Sequence, residues 1–177
     1  RIDTNVENCR AAFARAGKTV TIEPPRTDSP QCSKQETIKL SSLSTATLRG
    51  EETRCAIAAR LFMWEHNVVQ PAARQHLGEP VAEILHFGSY SCRTIRGSSA
   101  TSEHATANAV DISGFRLSSG KLVSLKQQWQ GSQPEAEFLK EVRDGACDYF
   151  NVVLSPDYNA DHHDHLHVDM GWYRTCR

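Results

Sequence analysis

The chain has 177 residues, 39% of them hydrophobic, which is enough for one domain with a substantial core but short for two. Its 20 basic and 21 acidic residues give a formal net charge of -1, so no large cationic field attracts it to nucleic acid or to an anionic membrane. No apolar run approaches the roughly 20 residues of a transmembrane helix, and because the chain starts with Arg1 we expect a processed or trimmed chain without its signal or anchor.

Six dispersed cysteines contain no C-x-x-C pair, the spacing typical of zinc knuckles and redox centres. They are Cys9, Cys32, Cys55, Cys92, Cys147 and Cys176. An even, scattered set predicts three disulfides and an oxidising compartment, whereas the alternative is buried free thiols in a cytosolic protein. The spacing does not choose among the connectivities, although Cys9 with Cys32 is the pair we favour as a local link.

Residues 1–50 lack a strong hydrophobic period and are rich in Pro, Ser and Thr. We expect them to form an irregular segment that cysteines attach to the domain, with the core over residues 51–177. The first strong pattern is CAIAARLFMWEHNVVQ, whose spacing predicts a core helix that Pro71 breaks or kinks. Gly78 suits a helix C-terminal cap, and we interpret His66 and His76 as structural residues.

Two strands are then predicted, over residues 81–90 and 108–115, because apolar residues alternate or cluster there. Residues 132–147 begin with Ser and Pro and carry early acids, which indicates a helix start, and FNVVLS follows as a short strand. This order favours an α+β fold with a small antiparallel sheet flanked by helices.

The segment HLHVDM, residues 165–170, alternates apolar and polar side chains with the period of a half-buried strand. One face therefore carries His165, His167 and Asp169. A solvated edge-strand face is the alternative interpretation, but two imidazoles projecting side by side are what a metal site requires.

A catalytic zinc needs about three protein ligands, so one strand cannot supply the whole site. The best second source is SEHATANAVD, where His104 precedes a strand that carries Asp111 on its polar face. An aspartate in an otherwise apolar strand is costly to bury unless it is paired or bound to a metal. The alternative is an ion pair with Arg96 or Arg116.

Together these segments resemble the zinc peptidase superfamily that contains the lysostaphin-type and D-Ala-D-Ala-type cell-wall peptidases. The family pattern S-x-H-x-x-G-x-A-x-D is matched by Ser102, His104, Ala109 and Asp111, with Ala107 in place of the usual Gly, and is followed by His-x-His. The chain also resembles the bacterial extensin-like C-terminal family through VVQPAARQHLG, GSYSCR, SEHATANAVDISGFRL, FLKEVRDGACDYF and HHDHLHVDMG, which cover most of it from Cys9 onward.

The resemblance implies Zn²⁺ held by His104, Asp111 and His167. It also implies a peptidase that cleaves peptidoglycan stem peptides or crosslinks at bonds involving D-amino acids, in the periplasm or outside the cell. Such an enzyme could be an endopeptidase or a carboxypeptidase. The alternative is a zinc-containing module that binds the wall or a protein without turnover. A histidine-rich metal store is a weaker possibility, because its ligands would lie in low-complexity tracts.

Three further residues have implied catalytic roles. His165 or Asp164 would handle the proton, and Asp164 can serve only if the chain bends just before His165, since a three-residue offset on a straight strand points it away. Arg93 would stabilise developing negative charge on the scissile carbonyl oxygen, although it could equally be a surface residue beside a disulfide. We expect residues 161–163 to form a flexible polar loop, from which one side chain could form a hydrogen bond to a ligand histidine, and His86 to serve in packing.

Overall fold

A computed structural model describes residues 5–177 of the chain. The helices are α1 Val6–Arg15, α2 Cys55–Trp64, α3 Gln70–Leu77, α4 Leu125–Gln128 and α5 Pro134–Ala146. The strands are β1 Thr21–Ile22, β2 Arg26–Ser29, β3 Cys32–Lys34, β4 Thr37–Ser42, β5 Thr47–Arg54, β6 Val81–His86, β7 Ala109–Leu117, β8 Leu122–Ser124, β9 Val152–Leu154, β10 Leu166–Asp169 and β11 Thr175–Cys176. The α+β class is therefore confirmed.

The main sheet has the strand order β1-β4-β5-β6-β7-β10-β9-β11, with β8 paired to β7, and β2 and β3 form a separate hairpin. The prediction of a small antiparallel sheet is wrong in extent and in part of its pairing: the main sheet of residues 5–177 has nine strands, and β5–β6 and β9–β11 are parallel pairs. Strand β7 lies at its centre and pairs with both β6 and β10.

The core forms where the helices pack against one face of this sheet. Phe115 of β7 contacts the rings of Trp64 and Phe138, with centroids 6.2 and 5.1 Å apart. The buried indole of Trp64 donates to the Val142 carbonyl of α5 at 2.9 Å, so its polar atom is satisfied inside the core. The residues of β7 that face the opposite way are left free to build a polar site.

The predicted core helix is present, but Pro71 does not end it. A π-helical segment, Glu65–Val69, joins α2 to α3, and Pro71 lies in the first turn of α3. A proline has no N–H to donate, and its position in the first turn after a wide π turn tolerates that loss. Gly78 caps α3 in the left-handed conformation, at φ 74°, as expected.

The expectation of an irregular segment over residues 1–50 is wrong for the residues described. Residues 5–50 contain α1 and β1 to β4, and β5 begins at Thr47. Strand β5, with the sequence TLRGEETR, has few apolar residues, so its hydrogen-bonded neighbours β4 and β6 define it and a sequence period does not.

Three disulfides are present, as predicted, but the favoured Cys9–Cys32 pair is wrong. The bonds join Cys9 to Cys55, Cys32 to Cys92, and Cys147 to Cys176. Each therefore connects elements distant in sequence: α1 to α2, β3 to the loop after β6, and the end of α5 to β11. Among residues 5–177, no helix has the length and apolar character needed to cross a membrane.

Candidate metal centre

The sheet register places Asp111 and His167 side by side. In the antiparallel pair β7–β10, His167 lies opposite Asp111, and Val168 lies opposite Val110. Directly opposed residues share a face, so Val110 and Val168 enter the helix-packed core while the aspartate and histidine project to the other side. The two-residue alternation predicted from the sequence is present in both strands, and it places the side chains of Asp111 and His167 next to each other on one face of the sheet.

His104 reaches the same place from a short 3₁₀ helix, Glu103–Thr106, that precedes β7. The hydroxyl of Ser102 accepts from the His104 N–H at 3.3 Å and caps this turn. Ala107 ends the turn with φ 54° in the left-handed region, which favours glycine. The turn forms with alanine, and His104 is 2% exposed.

Three potential ligand atoms converge there. His104 Nε2 lies 3.1 Å from Asp111 Oδ1, His167 Nδ1 lies 2.9 Å from the same oxygen, and the two nitrogens are 3.2 Å apart. A tetrahedral zinc, with ligands about 2.0–2.1 Å away, separates its ligand atoms by roughly 3.3 Å. Two imidazoles and one carboxylate with this spacing fit a zinc ion, and these three residues form the one group of at least three His, Cys, Asp or Glu side chains in residues 5–177 with this convergence.

The outer nitrogen of each histidine also has a partner. His104 Nδ1 lies 2.6 Å from the Ser89 carbonyl oxygen, and His167 Nε2 lies 2.9 Å from Asp169 Oδ2. Asp169 appeared on the polar face of the predicted strand, but the sequence did not assign it a role. The signal that could have revealed its role is its position two residues after His167, which places both side chains on the same face of the strand.

Electrostatics within the cluster are strong. Burial would raise the pKa of the Asp111 carboxyl, but hydrogen bonds and charge from His104 and His167 outweigh it and hold that pKa well below its ordinary value. Burial would likewise lower the pKa of His167, but Asp111 and Asp169 raise it to about 9. Without a cation, the cluster thus pairs the Asp111 carboxylate with a protonated His167 ring, and a cation bound here would displace the proton from His167 Nδ1.

Asp164 and His165 form a pair at the edge of this cluster. The chain turns before β10, which begins at Leu166, and His165 Nδ1 lies 2.9 Å from Asp164 Oδ1. His165 Nε2 points to the cluster, 3.6 Å from Asp111 Oδ1. Burial would raise the pKa of Asp164, but His165 and His163 stabilise its negative charge, so the pKa is lowered. The histidine thus faces the site with the aspartate behind it.

His162 also belongs to the site, although the sequence placed it in a flexible loop. It lies in a 3₁₀ helix, Ala160–His162, and its ring centroid is 5.0 Å from that of His165 and 6.0 Å from that of His167. Burial and the neighbouring histidines lower its pKa to about 4, so it is neutral at pH 7. Its placement depends on the turn before β10, which periodicity does not reveal.

Arg93 reaches the site from the exposed loop after β6. Its Nη2 lies 3.9 Å from Asp111 Oδ2, and its side chain is 47% exposed. Arg96 and Arg116, the alternative partners for Asp111, bind elsewhere: Arg96 pairs with Asp161 at 2.9 Å and Arg116 with Glu83 at 3.0 Å. Of these three arginines, Arg93 is the one whose side chain lies next to Asp111.

His66, His76 and His86 do not belong to this group of three ligand residues. His66 is exposed with its Nδ1 3.3 Å from the Ser44 hydroxyl, and His76 pairs with Glu141 at 2.6 Å. The side chain of His86 is buried, 3.4 Å from Glu51. These contacts fit the structural roles expected for them.

A known family model matches almost the whole chain. The model described as "Extensin-like protein C-terminus" matches residues 7–177, so the chain belongs to that family. No curated protein and no solved structure shows significant similarity to it.

Proposed function

We propose that this member of the extensin-like C-terminal family is a zinc-dependent peptidase that hydrolyses peptide bonds of bacterial peptidoglycan at D-amino acids. The observation that carries the proposal is the convergence of His104, Asp111 and His167 next to the Asp164–His165 pair. The resemblance of these motifs to cell-wall zinc peptidases supplies the substrate class. Three disulfides are compatible with a periplasmic or secreted enzyme.

In this proposal, different residues of the chain have different roles in hydrolysis. Zinc bound by the three ligands would supply Lewis acidity and lower the pKa of a coordinated water to about 7. His165 is the group that takes the proton of the attacking water and returns it to the leaving amine, since its Nε2 faces the cluster. Asp164 orients this ring through Nδ1, and Arg93 stabilises negative charge on the carbonyl oxygen.

A digest of purified peptidoglycan tests the proposal. We expect the zinc-loaded protein to remove crosslinked muropeptides or terminal residues, with products identified by mass spectrometry, and chelator to stop the reaction. His104→Ala and His167→Ala should lose both stoichiometric zinc and hydrolysis. His165→Ala should keep zinc and lose about 10²- to 10⁴-fold in rate, the usual contribution of a general acid-base.

The outcomes separate the two function classes. Unchanged muropeptides with one zinc bound would contradict the peptidase and favour the zinc-containing binding module. Retained hydrolysis in His104→Ala or His167→Ala would contradict the zinc mechanism itself.

A further inference from the structure

We propose that Asp169 is a positioning residue that fixes the His167 ring in the tautomer whose Nδ1 binds a divalent cation. The inference rests on the metal-binding part of the proposed function. Its basis is the contact between His167 Nε2 and Asp169 Oδ2, at 2.9 Å, on the side of the ring away from Asp111 and His104.

The tautomer follows from the chemistry of the two partners. A carboxylate accepts hydrogen bonds and cannot donate one, so Asp169 binds the form of His167 that carries its proton on Nε2. In the neutral ring, the form that a cation binds, Nδ1 then keeps its lone pair, and this is the atom that lies 2.9 Å from Asp111 Oδ1 and 3.2 Å from His104 Nε2. The carboxylate thereby selects the nitrogen available to the cation.

The orientation of Asp169 is fixed independently of the histidine. Its second oxygen, Oδ1, accepts from the Gly171 N–H at 2.8 Å, and the residue is 6% exposed. A Cβ at Gly171 would lie 2.8 Å from Glu103 Oε1 and 3.1 Å from Asp169 Oδ1, so a larger residue there would require both carboxylates to shift. Asn151 holds the same turn by donating from Nδ2 to the Gly171 carbonyl at 2.7 Å.

The two histidines are therefore supported differently. His104 donates to a neutral carbonyl, that of Ser89, whereas His167 donates to a buried carboxylate. With Asp111, Asp169 gives the centre two carboxylates, whose negative charge favours the binding of a divalent cation. This charge distinguishes Asp169 from a residue that only packs.

Asp169→Asn and Asp169→Ala test the role of Asp169, because a positioning role and a purely structural role predict opposite orders of Zn²⁺ affinity for the two variants. Both Gly171 N–H and His167 Nε2–H need an acceptor, and asparagine has only one oxygen for two donors. With that oxygen on Gly171, its NH₂ group faces Nε2 and drives the ring proton to Nδ1. Alanine removes the acceptor but introduces no donor. We therefore expect Asp169→Asn to weaken Zn²⁺ binding about 10- to 100-fold, and more than Asp169→Ala does.

The measurement is Zn²⁺ affinity by competition with a chromophoric chelator, together with ¹⁵N NMR of the neutral His167 ring, recorded above its pKa of about 9, to identify the protonated nitrogen. Asp161→Asn is the matched control, since it makes the same charge change at an exposed residue and should stay within twofold of wild type. A purely structural role predicts that Asp169→Ala weakens Zn²⁺ binding more than Asp169→Asn does, because asparagine retains one hydrogen bond and alanine none.

Three results would overturn the inference: Asp169→Asn binding within twofold of wild type, stronger weakening by alanine, or an unchanged His167 tautomer in Asp169→Asn. Absence of zinc binding in wild type would overturn it together with the proposed zinc mechanism. Tight zinc binding that falls in Asp169→Asn, combined with intact peptidoglycan, would support the positioning role while contradicting the peptidase. If Asp169→Ala does not fold, the asparagine variant and its NMR spectrum decide.

Discussion

Two carboxylates with little exposure, those of Glu65 and Asp111, have opposite surroundings. Glu65, in the π-helical segment, is fully buried and accepts the backbone N–H groups of residues 44, 45 and 46 at 2.9 to 3.2 Å, as well as a donor from Gln70. In residues 5–177, the contacts of the Asp111 carboxylate are with side chains, from three histidines and Arg93. A carboxylate saturated by backbone donors joins structural segments, whereas one facing converging imidazole nitrogens can accept a cation.

Glu51 lies between these extremes. Its carboxylate accepts one backbone N–H, from Ser89 at 2.7 Å, and faces His86. Burial outweighs these interactions and raises its pKa. The number of backbone donors thus distinguishes the three carboxylates. Substituting each of the three residues tests the role that this number predicts.

The largest expected effect is that of Glu65→Ala on folding. The substitution leaves three buried backbone N–H groups without an acceptor, each costing about 1–3 kcal/mol, so the free energy of unfolding should fall by on the order of 4 kcal/mol or more. Urea denaturation measures it. A loss below about 1 kcal/mol would contradict the structural role, and zinc affinity of the folded fraction at low temperature should be unchanged.

Asp111→Ala should show the reverse pattern. Without zinc, the free energy of unfolding should fall by only about 1–2 kcal/mol, since no backbone donor among the described residues depends on this carboxylate. Stoichiometric zinc binding should nevertheless be lost, together with the thermal stabilisation that zinc gives the wild type. Calorimetry with and without zinc checks both parts, and zinc stabilisation retained in the variant would exclude Asp111 as a ligand.

The smallest effect, and a pH-dependent one, is expected for Glu51→Gln. Because its pKa is raised in the folded protein, the neutral carboxyl contributes stability that is present below the unfolded-state value and lost as the pH rises through the folded-state value. Glutamine stays neutral and its oxygen can still accept from Ser89. The variant should therefore match wild type near pH 4 and exceed it at pH 7, by less than about 1 kcal/mol.

Denaturation curves at the two pH values check this difference. Destabilisation of Glu51→Gln that grows towards pH 7 would show that the charged carboxylate is favoured, through His86, and would place Glu51 with Glu65.

The sequence predicted those parts of the molecule that depend on local spacing. The alternation in HLHVDM and the spacing from His104 to Asp111 are local patterns, and the structure brings His104, Asp111 and His167 together. The start of α5 and the cap at Gly78 also follow local signals. Such features were predictable because neighbouring residues determine them.

Features that depend on long-range pairing were not predictable in this way. The disulfide partner of Cys9 is 46 residues away, and strand β5 is defined by β4 and β6. The position of His162 depends on a turn that only the docked β10 strand fixes. Periodicity and spacing carry no information on which distant segments meet.

The most direct test of the central claim is zinc K-edge X-ray absorption on protein loaded with one equivalent of zinc and then dialysed. We predict one retained zinc with two imidazole nitrogens and carboxylate or water oxygens at about 2.0–2.2 Å. Retention of no zinc after dialysis, or a zinc bound by sulfur at about 2.3 Å, would contradict the assignment of His104, Asp111 and His167 as its ligands.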